Sequence, residues 1–190
     1  VIVLGVDPSL SATGLALVDT DEMRSRVHEI KTRPSGPALD VRSRRIALIV
    51  KSVETFVDDC LIDLAVIEAP SFGSRAKSAA QHERSGLFFA IVSMLDARAV
   101  RVVEVSPRAR AKYATGNGAA AKMSVVIATL ETYAHTLSVK TLSDNESDAL
   151  ALAAMGARSL DASVESAATI TTAQLEAMKR VDWHNTKGKQ

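Results

Sequence analysis

Three acidic residues stand where a buried chain has least reason to place them. The opening stretch "VIVLGVDPSLSATGLALV" reads as an apolar strand that ends on Asp7 and restarts after a Pro-Ser turn. "IDLAVIEAP" is a short continuous apolar run of the kind covered on both faces of a sheet, and it ends on Glu68 before Pro70 stops it. In "SDNESDALALA", Asp148 follows Asp144 by four residues and Asn145 by three, so a helix projects all three from one face. A carboxylate at a strand end is tolerated where a cation neutralises it, and two such ends in adjacent strands suit a shared metal ion. The chemistry within reach is that of hard divalent cations on oxygen ligands: activating water and stabilising a leaving oxygen in phosphodiester hydrolysis. Simpler roles compete for some of these residues. Ser143 and Glu146 have the spacing of a capping box, and an acid such as Asp144 in a first helical turn is favoured by the helix dipole alone.

Positioning these acids requires an alternation of elements. Residues 1–7, 12–19 and 25–32 read as three consecutive strands in a meander. Ile46, Ile49, Val50, Val53, Val57 and Cys60 form one stripe on a helix from about Ala38 to Asp59. The strand ending on Glu68 follows, then a helix from about Gly73 to Arg98 whose second half, "GLFFAIVSML", is apolar nearly all round. Residues 87–94 are therefore expected to be buried between two subunits. Residues 100–105 make a fifth strand and "SPRARAKYATGNG" a basic loop. Met123, Val126, Ile127 and Leu130 mark a third helix, and the last strongly periodic helix begins near Ser143. Residues 159–190 read as a loosely attached tail with one short helix opened by a Thr171-to-Gln174 capping box. The pattern predicts an α/β fold with a mixed sheet, in which sites gather where strands end.

Composition narrows the class. At 190 residues and 47% hydrophobic, the chain can bury one sizeable core, and a single cysteine, Cys60, excludes a disulfide framework. With neither a signal-peptide pattern nor an 18-residue apolar run, the expectation is a cytoplasmic protein without a membrane partner. The net charge of +1 hides an uneven distribution: residues 71–122 carry nine Lys or Arg against three acids. Such a block suits a polyanion, with Arg75, Lys77, Arg84, Arg108, Arg110, Lys112 and Lys122 as candidate phosphate contacts.

Four stretches in this order, "GVDPSLSATGLAL", "VIEAPSFG", "SPRARAKYATGNGAAAK" and "DNESDALALA", resemble the RuvC-type Holliday-junction resolvases of the RNase H-like superfamily, in a divergent and phage-like form. The resemblance covers roughly residues 1–158. It implies an RNase H-like fold with a five-stranded mixed sheet and helices on both faces. It further implies a homodimer that cuts branched DNA with two magnesium ions per site, or manganese in their place. Asp7, Glu68 and Asp148 match the family's acids, and Lys122 matches its lysine after the glycine turn, where it would contact the scissile phosphate. The remaining acidic position of the family falls on Asn145, so either Asp144 substitutes or the site runs on three carboxylates. Phe72 lies one residue from where family members carry an aromatic that probes the junction. Two rivals stand beside this reading: a branched-DNA-binding protein that has lost catalysis, and an actin-like ATPase, whose two-domain body needs a far longer chain. No helicase partner is legible.

Overall fold

Short apolar strands alternating with longer helices can bury both faces of a sheet only as a layered α/β structure, and the computed structural model has that form. It describes residues 1–34, 36–70, 78–165 and 171–184. Strands β1 (Ile2–Asp7), β2 (Ala12–Asp19) and β3 (Arg24–Lys31) form the antiparallel meander. β4 (Leu64–Glu68) and β5 (Val102–Val105) run parallel to β1, giving the order β3-β2-β1-β4-β5. Helices α1 (Leu39–Val57) and α2 (Ser78–Ala97) cover one face, where Leu4, Val6, Leu15 and Ile67 meet Ile49, Val53, Leu87 and Ile91. The other face carries α3 (Pro107–Thr115), α4 (Lys122–Tyr133), α5 (Asp144–Ser159) and α6 (Thr172–Met178).

α5 lies at the centre of that second face and packs on β1, β2 and β4. Its small side chains, from Ala149 to Ala157, are buried all round. The sheet accommodates it with glycine: a Cβ on Gly5 would sit 1.9 Å from the Ala149 carbonyl oxygen, and one on Gly14 would sit 2.0 Å from that of Asn145. Backbone therefore meets backbone, and the first turn of α5 is carried to the end of β1. The expected capping boxes are both present, Ser143 with Glu146 and Thr171 with Gln174.

Four expectations differ from the structure. "PRARAKYAT" is helix α3, not loop: the Ser106 side chain accepts from the Ala109 N–H, Pro107 opens the first turn, and Gly116 closes the helix at φ 81°. On α4 the predicted stripe is turned partly outward, with Met123 67% and Ile127 49% exposed and Val126 and Leu130 half-buried, while Val125, Thr129 and Tyr133 face the core. On α2, Leu87, Phe88 and Ile91 are buried within the chain itself, leaving Phe89 65% exposed; the segment 87–94 is thus largely covered without a second subunit. The tail is not loose where it is described. Val164 and Ala177 are fully buried, Met178, Val181 and Trp183 pack on the same core, and Glu165 is tied to Arg158. Among the described residues no helix is long and apolar enough to cross a membrane.

Candidate active site

The parallel register Val6↔Ile67 places Asp7 and Glu68 at neighbouring strand ends. The turn after Asp7 is knitted by Thr13, whose hydroxyl donates to the Ser9 carbonyl at 2.6 Å and accepts from the Ser9 N–H at 3.2 Å. It is braced from α1 by Arg45, which donates to the Leu10 carbonyl at 2.6 Å and to the Thr32 hydroxyl at 2.9 Å. From the opposite face the close approach of α5 delivers Asp148, which is buried, to the same point. Three acids 61 and 80 residues apart in sequence thus converge, as the strand ends and helix face predict.

Into this cluster α3 inserts Arg110. Its Nε donates to Glu68 at 2.7 Å and its Nη1 donates to Asp148, and the residue is only 8% exposed. Arg110, expected as a phosphate contact, is thus engaged inside the acid cluster in this structure. On α3 Arg110 points inward, on the side away from Arg108 and Lys112, which are four residues apart and share the outer side: Arg108 is exposed and Lys112 pairs with Glu176 on α6. Lys112 is thereby also drawn away from an open phosphate-binding position.

The electrostatics follow from three carboxylates sharing one buried cation. Burial first, then the charges of Glu68 and Asp148, push the Asp7 carboxyl up to about 8, against the pull of Arg110 and Lys122. Burial likewise raises Asp148 to about 6, although Arg110 opposes it. Burial disfavours the Arg110 charge, but Glu68 and Asp148 outweigh it and hold the guanidinium above its ordinary value. Asp7 has no hydrogen-bond donor among the described residues, so its oxygens remain available to a ligand. At the rim, Lys122 bonds Asp144 at 2.5 Å; that bond lowers Asp144 and raises Lys122. Asn145 does not join the cluster: its amide donates to Glu29 on β3 at 2.7 Å. The charge of Asp144, the other candidate for the fourth position, helps to raise Asp148.

Above Asp7 and Glu68 opens a cavity of about 160 Å³, closed on the far side by Gln81, Arg84, Ser85 and Phe88 of α2. Arg84, a residue of the basic block, thus lines the same opening as Asp7 and Glu68. Phe72, Arg75 and Lys77 lie outside the described residues.

Among the described residues, no three His, Cys, Asp or Glu side chains are gathered so as to hold an ion as they stand. Arg110 fills the space between two of the three acids. The donor chemistry nonetheless fits a hard divalent cation: every group is a carboxylate oxygen, and one guanidinium leaves the cluster short of positive charge. Sequence reasoning missed the role of Arg110 because it took α3 for a loop. The Ser-Pro pair at 106 and 107, an N-cap followed by proline in the first turn, was the available signal. It also missed Glu29, which fixes Asn145.

The family model of the crossover junction endodeoxyribonuclease RuvC matches residues 3–155. No curated protein matches in sequence. Among solved structures, Thermus thermophilus RuvC in complex with a Holliday junction substrate is similar at 20% identity and TM-score 0.63, over 80% of this chain and 89% of that one. A second Thermus thermophilus RuvC structure gives 20% and 0.60, over 85% and 98%. The fowlpox virus Holliday junction resolvase gives 15% and 0.50, over 84% and 99%.

Proposed function

The chain belongs to the RuvC family of crossover junction endodeoxyribonucleases, and we propose that it is a divalent-metal-dependent nuclease that cuts Holliday junctions or other branched DNA as a homodimer. The observation that carries the reading is the convergence of Asp7, Glu68 and Asp148 beside a cleft that Asp7, Glu68 and Arg84 line. Asp7, Glu68 and Asp148 would hold two magnesium ions, with Asp144 as the fourth ligand. When bound, such ions supply an activated water and stabilise the departing oxygen. The chain's own residues do the rest. Arg84, with Arg108 on the exposed side of α3, attracts the phosphate backbone. Lys122, exposed but within the field of Asp7 and Asp148, places a positive charge beside the reacting phosphate. The exposed Phe89 on α2 supplies apolar surface for a second copy.

A cleavage panel tests the reading: labelled four-way, three-way, flap and linear duplex DNA, with and without magnesium. Paired magnesium-dependent nicks confined to branched substrates support it. Uncut junctions under all metal conditions overturn it. One observation favours a second reading, a branched-DNA-binding protein without catalysis: Arg110 already bridges Glu68 and Asp148. Junctions that are retarded but intact at every magnesium concentration would select that reading.

A further inference from the structure

We infer that Arg110 is a built-in competitor of the divalent cation: its guanidinium holds the Glu68 and Asp148 oxygens that an ion would take, and loading the site obliges Arg110 to release at least one of them. The inference rests on the nuclease reading and concerns how that site is regulated. The geometry is specific. One planar fork spans acids on two elements, β4 and α5, from a third, α3, so the same guanidinium that neutralises the cluster also staples it. An oxygen already accepting a charge-assisted hydrogen bond is a poorer metal ligand, because that lone pair is committed. Asp7, with no such donor, is the oxygen group open to first contact with an ion.

Release demands little of the fold. α3 is anchored by its own caps at Ser106 and Gly116 and by Tyr113, which is buried, so the long Arg110 side chain can swing while its helix stays. The cavity beside Asp7 and Glu68 lies where substrate phosphate would enter, and a freed guanidinium suits phosphate as well as it suits carboxylate. Metal and DNA together thus draw Arg110 from one set of oxygens to another. Neither Arg108, which faces solvent, nor Lys112, which pairs with Glu176, is placed to do this.

The test measures metal binding to the whole chain without DNA. Calorimetric titration of Mn²⁺ and Mg²⁺ is run on wild type, Arg110→Met and Arg110→Lys, with thermal unfolding in chelator as a second readout. Arg110→Met is expected to bind either ion about tenfold more tightly, and to unfold at lower temperature in chelator with the loss recovered in saturating Mn²⁺. Arg110→Lys separates competition from simple charge. It keeps the charge but cannot span two acids, so tighter binding than wild type supports the inference, and an unchanged Kd overturns it. If Arg110→Met fails to fold in chelator, the lysine variant alone decides. Wild-type binding with both variants unchanged or weaker overturns the inference and leaves the nuclease reading standing. No ion bound by any of the three overturns the metal site itself.

Discussion

Two buried clusters in this molecule bring an arginine to acidic groups, and both draw on α3. In the first, Arg110 faces Asp7, Glu68 and Asp148. In the second, Arg158 donates to Glu165 at 2.7 Å and to the Tyr113 hydroxyl at 3.0 Å, while Tyr113, Tyr133 and Ser163 all bond the same Glu165 carboxylate. The second cluster is balanced, one acid to one base with every oxygen engaged. Burial alone would raise Glu165, but its donors and Arg158 hold it below its ordinary value. The first cluster is unbalanced, and Asp7 and Asp148 move upward. Burial of charge is common to both, so burial does not mark function. What distinguishes the candidate active site is charge left uncompensated at the edge of an open cleft, whereas the Glu165 cluster is closed and ties residues 158–165 to the core.

The largest expected effect breaks the first cluster. Asp7→Asn, Glu68→Gln or Asp148→Asn should lower single-turnover cleavage of junction DNA on the order of 10²–10³-fold, with junction affinity changed only a few-fold. A variant that retains near-normal cutting removes its residue from the site. Breaking the second cluster should act on stability instead. Glu165→Ala leaves the half-buried Arg158 and the hydroxyls of Tyr113 and Tyr133 without their acceptor and should cost about 1–3 kcal/mol in urea unfolding, with cleavage per folded molecule kept.

Titration sharpens the contrast because the two clusters shift in opposite directions. Asp7 binds its proton more tightly folded than unfolded, so its contribution is present below about 3.8 and is lost as pH rises toward about 8. Asp148 behaves likewise up to about 6. Glu165 has a lowered folded value, so its contribution is present above about 4.5 and is lost as pH falls through the folded value. Metal-free protein should therefore lose thermal stability from pH 4 to pH 8, and Asp7→Asn should flatten that fall. Glu165→Gln should flatten the loss on the acid side only. Identical pH profiles for Asp7→Asn and wild type would contradict the assignment of Asp7 as the uncompensated group.

Smaller effects are expected at the rim. Asp144→Ala should slow cleavage about tenfold and Asn145→Ala less, since Asn145 is held by Glu29; the reverse ranking would return the fourth ligand to position 145. Lys122→Ala should reduce the cutting rate on saturating DNA more than it reduces affinity. The smallest effect separates true phosphate contacts from the rest of the basic block. Arg84→Ala and Arg108→Ala should each make the log–log salt dependence of binding shallower by about 0.9, and Lys112→Ala should leave it unchanged.

Much of the site was legible along the chain because its cues are local. Asp7 and Glu68 each close an apolar run, and Asp148 shares a helical face with Asp144. The Ser143 capping box places the start of that helix to the residue. Where local cues were weak or ambiguous, the reading failed. On α4, apolar periodicity selected Met123, Val126, Ile127 and Leu130, but Thr129 and Tyr133 face inward: tyrosine reaches Glu165, and threonine is small enough to pack. The start of the tail looked loosely attached because Glu165, which pairs with Arg158, is indistinguishable in sequence from a solvated acid.

The sequence by itself determined which residues could end a buried strand, cap a helix, or approach the sheet without a Cβ, since backbone sterics and near neighbours decide those matters. The tertiary structure alone decided what each long charged side chain would meet. Arg108, Arg110 and Lys112 are one basic motif in sequence, yet the turn of α3 sends Arg110 to the acids and leaves Arg108 and Lys112 on the other side, where one meets solvent and the other Glu176 of α6. A cation's partner is set by the direction its helix gives it and by what the rest of the fold has placed there, and neither is encoded within the motif itself.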